Sequence, residues 1–373
     1  MAPTETIAPH QRAQVQDVSV SAYRIPTDRP ESDGTLQWDQ TTLVLVQVTA
    51  EDQTGLGYTY AHAAAGRLIH DKLAAVVRDM NAFDISACWK AMTGAVRNDG
   101  DTGLARMAIS AVDSALWDLK AKLLDMPLAR LLGMVRHEVP TYGSGGFTSY
   151  TIEQLQEQLA GWAAEGFSMV KMKIGRRPGD DPRRIAAARK AVGAEVSLFV
   201  DANGGYDRKQ ALALAECFPQ WGVSWYEEPV PHLDLDGLHL LRQRVPGGIE
   251  VTAGEYGFDL DYFQRMAQAE AVDVLQADAT RCGITGFLQA AVLCEAYRLP
   301  MSSHCAPSLH LHACCALSPV RHLEYFHDHV RIEHMLFDGA ATAENGMLRP
   351  DLSRPGLGLE FKEQEAHSYE TSF

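Results

Sequence analysis

The chain has 373 residues, 46% of them hydrophobic, which is enough for one or two domains with a sizeable core. Its formal net charge of −15 argues against nucleic acid or an anionic membrane as a partner. No run of about 18 apolar residues occurs, which argues against a membrane-spanning helix. If the ligand is itself an anion, its site must reverse this charge locally with a metal ion or lysines.

The amino-terminal segment and the cysteines both favour a cytoplasmic protein. The segment 1–14 lacks the apolar core of a signal peptide, and we expect it to form a loose tail. The seven cysteines are odd in number, include no C-x-x-C pair and lie mostly in apolar contexts. This pattern is typical of a reduced protein in the cytoplasm.

The first 135 residues predict an α+β domain. Two strand-forming runs, 41–50 and 54–60, are separated by a short polar turn, which is typical of a β-hairpin. The segment 103–133 carries alanine and leucine at helical spacing. Strands followed by segregated helices indicate an α+β domain over 1–135. We assign the C-terminal segment, about 340–373, to the same domain, because its irregular sequence suggests a return to it.

From about residue 139 the sequence alternates short apolar strands with capped helices. Thr151 and Gln154 form a capping-box signature, and Gly166 follows at the end of that helix. About eight strand–helix units predict a parallel α/β barrel over 136–339. A dinucleotide-binding fold is disfavoured, because no G-x-G-x-x-G follows an early strand.

Each predicted barrel strand ends in a polar residue, and the spacing between successive residues is 20 to 28 positions, about one strand–helix unit. These residues are Lys173, Asp201, Glu227, Glu255, Asp278, His304 and Glu324. Taken singly, each could be a solvated or helix-capping residue. Because the C-terminal strand ends of a barrel converge on the face that carries the chemistry, the ordered series predicts one shared active site.

Three of these carboxylates predict a metal site. Asp201, Glu227 and Glu255 would supply oxygen ligands without sulfur or imidazole, the set that Mg²⁺ prefers. Lys171 and Lys173 are two positions apart on one strand and therefore point to the same side. A metal ion and Lys171 would lower the pKa of Lys173 and make it a plausible base, while Lys171 could pair with a substrate carboxylate.

Asp278 and His304 predict a second acid–base group, in which the carboxylate orients the imidazole. Ser144, in the GSGG loop at the end of the first barrel strand, is a candidate for contact with the substrate. Two other histidine motifs favour structural roles. We expect HLH (310–312) to open an apolar helix and HDH (327–329) to lie on a surface loop.

Seven short motifs follow one another along this face, and the segment AVDSALWDLKAK (111–122) precedes them. They are KMK (171–173), DANGGY (201–206), EEP (227–229), AGE (253–255), QAD (276–278), SSH (302–304) and LE (323–324). In combination they resemble the enolase superfamily, in particular its mandelate racemase-like subgroup. The resemblance covers nearly the whole chain.

This resemblance implies a modified TIM barrel, (β/α)₇β, with an α+β capping domain and Mg²⁺ on the three carboxylates named above. It implies Lys173 as one base and the His304–Asp278 pair as the opposing base or acid. Glu324 would hydrogen-bond the substrate carboxylate, and Asn203 matches a residue near the metal and substrate. One departure is that a single glycine, Gly283, follows Asp278 where the family has two, which predicts a loop one residue shorter.

The shared chemistry of this superfamily is abstraction of a proton α to a carboxylate, with Mg²⁺ stabilising the product. We favour β-elimination of water from an aldonate or aldarate, which makes the chain a hydro-lyase. The reason is that the segment 24–39 is polar, and Asp28, Arg29, Glu31 and Asp33 are candidates for binding distal hydroxyls.

A racemase, epimerase or cycloisomerase acting through the same enediolate is the alternative. Outside this class the chain could be a catalytically silent metal-binding protein. We expect a small carboxylate substrate, no nucleic-acid or membrane partner, and a homo-oligomer.

Overall fold

A computed structural model describes residues 12–373, so most of the predicted amino-terminal tail lies outside the described residues. The first part of the chain is an antiparallel sheet of β1 (Asp17–Ser32), β2 (Gln37–Ala50) and β3 (Gln53–Tyr60). Strands β2 and β3 pair from Leu43 opposite Tyr60 to Ala50 opposite Gln53, so the predicted hairpin is confirmed.

Helices follow this sheet. They are α1 (Ala64–Leu68), α2 (Ala74–Val77), α3 (Ile85–Ala95), α4 (Leu104–Leu123) and α5 (Leu128–Leu132), with a π-helical turn at Ile69–Leu73 between the first two. The single helix predicted over 103–133 is therefore two helices. Pro127 directly precedes α5, and proline disfavours helical backbone in the residue before it, so α4 ends before this point.

Eight parallel strands form the second part and close into a barrel. Their bounds are β4 (Val139–Gly145), β5 (Met169–Lys173), β6 (Ser197–Asp201), β7 (Val223–Glu227), β8 (Glu250–Ala253), β9 (Val274–Ala277), β10 (Met301–Ser303) and β11 (Val320–Phe326). Each strand pairs with the next, and β11 pairs with β4 from Leu323–Thr141 to Phe326–Ser144. The barrel is therefore closed.

Seven helices connect these strands, which confirms the predicted (β/α)₇β architecture. They are α6 (Ile152–Ala164), α7 (Asp181–Val192), α8 (Arg208–Ala215), α9 (Leu235–Arg244), α10 (Leu260–Gln268), α11 (Ala279–Tyr297) and α12 (Pro307–Ala316), with a 3₁₀ turn at Phe218–Trp221. Thr151 and Gln154 form the predicted capping box at the start of α6. Among residues 12–373, no helix is both long and apolar enough to cross a membrane.

The remaining elements contact both parts of the molecule. They are α13 (His327–Leu336), β12 (Phe337–Asp338), β13 (Met347–Leu348), β14 (Glu360–Phe361), α14 (Glu363–Ala366), a 3₁₀ turn at His367–Tyr369, and β15 (Glu370–Thr371). Strand β13 pairs with β4 of the barrel, whereas β15 pairs with β1. The predicted domain division at 135/136 falls between α5 and β4, and it remains a prediction, as does the assignment of 340–373.

The turn between β1 and β2 rests on the C-terminal end of the barrel. At Gly34 in this turn, a Cβ atom would lie 2.0 Å from the carbonyl oxygen of Ala202 and 2.9 Å from that of Ile174. These two residues directly follow β6 and β5. Only glycine allows so close an approach, and the β1–β2 hairpin therefore covers the end of the barrel at which the polar strand ends lie.

Candidate active site

The barrel brings the predicted polar residues to one end. Lys173, Asp201 and Glu227 are the last residues of β5, β6 and β7. Glu255, Asp278 and His304 lie just beyond the ends of β8, β9 and β10, and Glu324 lies in β11, two residues before its end. All seven are buried, so the burial of so many charges requires either mutual pairing or a bound ion.

Each of the two lysines forms ion pairs with buried carboxylates. The Lys171 Nζ atom lies 2.5 Å from Glu227 Oε1 and 2.7 Å from Glu324 Oε1, and Lys171 is fully buried. Lys173 Nζ lies 2.5 Å from Asp201 Oδ2. Burial lowers the pKa of Lys171, but the charges of Glu227 and Glu324 outweigh it, and the pKa is raised. Lys171 therefore stays charged.

Asp201, Glu227 and Glu255 form a cluster that fits a hard cation. One oxygen from each lies within 4.8 Å of the others, and all three side chains are buried. The buried oxygens Glu255 Oε2 and Asn203 Oδ1 have no hydrogen-bond partner. Oxygen donors without partners in a buried, strongly acidic site are the set that Mg²⁺ takes, so the residues present fit the predicted ion.

The pKa shifts of Glu227 and Lys173 also indicate that this cluster suits a cation. Burial, followed by the charge of Asp201, raises the pKa of Glu227 to about 8. Burial and the charge of Lys171 lower the pKa of Lys173, but the charges of Asp201, Glu227 and Glu255 together outweigh them, and the pKa is raised. Without a cation, Lys173 is therefore held as an ammonium ion by the same carboxylates that a metal ion would neutralise. This differs from the lowered pKa that the sequence predicts with the ion present.

His304 and Asp278 form the predicted pair. His304 Nδ1 lies 2.8 Å from Asp278 Oδ2, and because a carboxylate only accepts, Nδ1 carries the proton. Nε2 is then left to exchange protons. Burial lowers the pKa of His304, but the charge of Glu255 and the bond to Asp278 raise it above its ordinary value. The shorter loop around Gly283 therefore leaves this pair intact.

Glu324 is fully buried and accepts hydrogen bonds or ion pairs from three donors. Ser144 Oγ donates to Glu324 Oε1 at 2.5 Å, and the Cys305 backbone N–H donates to Oε2 at 2.8 Å. Lys171 completes the set. Burial raises the pKa of Glu324, yet Lys171 and then His304 hold it well below its usual range. Ser144 is fully buried, so its contact in this structure is with Glu324.

A cavity of about 450 Å³ lies between the β1–β2 hairpin and the barrel. From the barrel, Lys173, Asn203, Glu255, Asp278 and His304 line it. The opposite wall comes from β2, β3 and the segments beside them, and its polar residues are Asp33, Gln40, Thr41, Thr42, Tyr60 and His62. Lys173, His304 and the Glu255 carboxylate thus line one cavity of the size of a small ligand, which Leu36 and Trp38 also line.

Of the four residues predicted to bind distal hydroxyls, only Asp33 lines the cavity. Asp28 pairs with His327, and Glu31 is buried and accepts a hydrogen bond from Trp38 Nε1. Arg29 lies over the ring of Tyr150. Polarity alone predicted these residues, and it does not indicate the face of the strand to which a side chain points.

The motif HDH is also placed differently from the prediction, since it begins helix α13 rather than a surface loop. His329 lines the cavity and stacks on Tyr60 with ring centroids 3.5 Å apart. Burial lowers its pKa to about 3, so the ring is neutral. By contrast, His310 and His312 are buried in α12 and bond to backbone groups of Ala279 and Ala129, as expected for structural histidines.

This fold and this set of strand-end residues define an enzyme of the enolase superfamily. Residues 17–133 match the family model described as mandelate racemase / muconate lactonizing enzyme, N-terminal domain, and residues 154–365 match that described as enolase C-terminal domain-like. The chain belongs to the mandelate racemase/muconate lactonizing enzyme family, as the sequence motifs predicted.

Curated relatives carry out two kinds of reaction. An L-talarate/galactarate dehydratase from Salmonella typhimurium is 29% identical over 94% of this chain and 90% of the relative. A D-galactarolactone cycloisomerase from Agrobacterium fabrum is 30% identical over 89% of this chain and 92% of the relative. The names of these relatives include both a dehydratase and an isomerase of sugar-acid derivatives.

Solved structures show the same architecture. A mandelate racemase/muconate lactonizing enzyme-like protein from Rubrobacter xylanophilus is 54% identical with a TM-score of 0.94, covering 96% of this chain and 100% of its own. L-Talarate dehydratase from Polaromonas, solved with Mg and L-glucarate, is 29% identical with a TM-score of 0.87, covering 96% of this chain and 98% of its own.

Proposed function

We propose that this enzyme removes the proton α to the carboxylate of a sugar acid and then eliminates the β-hydroxyl as water, giving a 2-keto-3-deoxy acid. The observation that carries the proposal is the presence of Lys173 and His304, two acid–base groups from the ends of different strands, in one cavity. One group can act as the base and the other can protonate the leaving oxygen.

Magnesium is the cofactor that the donor set of Asp201, Glu227 and Glu255 fits, and a relative of the same fold was solved with it. When bound, it supplies positive charge for the negative charge that develops on the substrate carboxylate. It would also neutralise Asp201, and this removes the main cause of the raised pKa of Lys173. Lys173 can then lose its proton and act as the base that the sequence predicts.

The balance of the proposed reaction is simple. The base accepts the α-proton, and the C–H electron pair forms the enediolate. The electrons then return to form the Cα–Cβ double bond while the Cβ–O bond breaks, and the acid delivers its proton to the leaving oxygen. The resulting enol takes up one proton and becomes the keto acid. Which of Lys173 and His304 is the base depends on the configuration of the substrate at C2.

Lys171 is proposed to supply positive charge for the carboxylate end of the substrate, and Glu324 is proposed to hold Lys171 in position. The substrate's hydroxyl groups would face the wall of β2 and β3, where Thr42, Tyr60 and His62 offer polar atoms. The Tyr60 hydroxyl is buried and has no hydrogen-bond partner, so a substrate hydroxyl would satisfy it. Leu36 and Trp38 also line this wall, so the support for a polyhydroxylated acid over an aryl substrate comes from these particular polar groups.

The competing function is a racemase, epimerase or cycloisomerase reaction of the same enediolate, which two acid–base groups also permit and which one relative's name includes. The test is a panel of aldonates and aldarates of four to six carbons with every configuration, analysed by a keto-acid assay and by proton NMR. Keto product from any member supports dehydration. Inversion or ring opening without keto product would contradict it and support the isomerase.

A further inference from the structure

Asp28, Glu31 and His327 form a cluster of potential metal ligands that shares no residue with the two clusters of the active site, Asp201–Glu227–Glu255 and His304–Cys305–Glu324. One donor atom from each residue lies within 4.8 Å of the others. Asp28 and Glu31 belong to β1, and His327 is the first residue of α13, directly after barrel strand β11. The cluster therefore joins the β1–β2 hairpin to the barrel at the rim of the active-site cavity.

Glu31 has an oxygen without a partner. The side chain has no exposed surface, and Trp38 Nε1 donates to Oε2 at 2.8 Å, whereas Oε1 is buried and has no hydrogen bond. A buried carboxylate oxygen without a donor loses its hydrogen bonds to water and gains none in return, which is unfavourable. Such an oxygen beside an imidazole and a second carboxylate indicates a missing positively charged ligand.

The surrounding charges do not supply it. Arg331 is already used, because its guanidinium donates to Asp328 Oδ1 at 2.7 Å and to the carbonyl oxygen of Pro26 at 2.6 Å. Thr41 also donates to Asp328. Among the described residues, no lysine or arginine forms an ion pair with Asp28 or Glu31, whose ion-pair partner is His327 on Asp28 alone, so a dication would fill a position that no cationic side chain occupies.

We propose that Asp28, Glu31 and His327 bind a divalent transition-metal ion, Zn²⁺ by preference, and that this ion fastens the β1–β2 hairpin to the barrel. Zn²⁺ prefers a ligand set that includes imidazole, as here, over the all-oxygen set of Asp201, Glu227 and Glu255. Ligands of tetrahedral Zn²⁺ are about 3.3 Å apart. His327 Nε2 and Asp28 Oδ2 are already 3.1 Å apart.

The test is Zn²⁺ binding to the intact enzyme in excess Mg²⁺, which keeps the catalytic carboxylates filled. We expect one Zn²⁺ per chain by equilibrium dialysis. His327→Gln and Asp28→Asn, both partly exposed and therefore tolerant of change, should each weaken binding at least about tenfold. The control is His70→Gln, which removes the exposed His70–Asp71 pair and should leave Zn²⁺ binding unchanged.

Two further readouts fix the location. Asp201→Asn should retain Zn²⁺ binding, since this ion does not use the catalytic carboxylates. Zn²⁺ should also slow hydrogen exchange in the hairpin 24–39 of the wild type but not of His327→Gln. Absence of Zn²⁺ binding by the wild type would overturn the proposal, as would equal binding by wild type and His327→Gln, or loss of binding in Asp201→Asn alone. None of these readouts depends on the substrate or on turnover.

Discussion

At the scale of single residues, the site consists of buried charges that constrain one another. Lys171 bridges Glu227 and Glu324, Lys173 is held by Asp201, and His304 is oriented by Asp278. Each pairing fixes the position of a side chain while leaving its reactivity to depend on what else is bound. The predictions at this scale therefore concern protonation and proton transfer rather than stability.

Replacing either acid–base residue should separate proton exchange from dehydration. Lys173→Ala and His304→Asn should each lower the dehydration rate by about 10²–10⁴-fold, because dehydration needs both a base and an acid. One variant should still exchange the α-proton in D₂O, since exchange needs only the nearer base. The measurement is parallel NMR and keto-acid assays, and unchanged dehydration in both variants would rule out the two-group site.

Replacing Asp278 should change the pH profile. The bond to Asp278 raises the pKa of His304, so Asp278→Asn should lower that pKa and move the limb of the kcat/KM profile that belongs to His304 to lower pH. A purely structural residue would lower the rate without moving the limb. A profile of unchanged shape and position would show that another group sets the protonation of His304.

At the scale of elements, the barrel could be predicted from the sequence and the cavity wall could not. Parallel strands carry their chemistry at their C-terminal ends, so a lysine, an acid and a histidine at repeat spacing identified the strands and the site together. Trp38, Gln40 and Tyr60 lie on ordinary strands of the antiparallel sheet. Their place in the cavity depends on how that sheet docks on the barrel, which local pattern does not encode. For the same reason the sequence does not show that Asp28 and Glu31 lie outside the residues that line the cavity.

The docking of the hairpin depends on Gly34, and a side chain there should disturb it. Gly34→Ala would place a Cβ 2.0 Å from the carbonyl oxygen of Ala202, so the hairpin must move away from the barrel. We expect KM to rise by roughly tenfold or more with little loss of the fold, because the barrel itself is unchanged. The control is Gly161→Ala, where a Cβ meets open space. Equal KM values for both variants would contradict this role.

The contact between α4 and α11 should make stability depend on pH. Thr285 donates its backbone N–H and its hydroxyl to Asp113, yet burial raises the pKa of Asp113 from 3.8 to about 7. The folded chain therefore binds more protons than the unfolded chain between about pH 4 and pH 7. The contribution of Asp113 to the free energy of unfolding should therefore fall as pH rises through this window, by up to roughly 4 kcal/mol, and level off above it.

Chemical denaturation across this pH range would test the linkage. Asp113→Asn cannot titrate, so its unfolding free energy should change less between pH 4 and pH 7 than that of the wild type. Replacement of the exposed Asp52 by asparagine is the control and should keep the wild-type slope. Parallel curves for wild type and Asp113→Asn would contradict the assigned pKa.

At the scale of the whole molecule, a chain of net charge −15 brings two buried lysines and a metal site to one end of a barrel, where the proposed function needs positive charge for an anionic substrate. The antiparallel sheet closes this end, and the C-terminal segment ties the two parts together through β13 and β15. Removal of Mg²⁺ should therefore abolish activity while leaving both parts folded. Asp201→Asn should behave in the same way, with loss of activity and retained secondary structure by circular dichroism.

The central claim is metal-dependent removal of the α-proton from a sugar acid, and proton NMR in D₂O tests it most directly. The enzyme would be treated with a chelator, incubated with an active substrate from the panel, and then given Mg²⁺. The account predicts no loss of the α-proton signal before Mg²⁺ is added, and loss of that signal with appearance of the keto acid afterwards. Full turnover of the chelated enzyme, or product that retains the original α-proton, would contradict it.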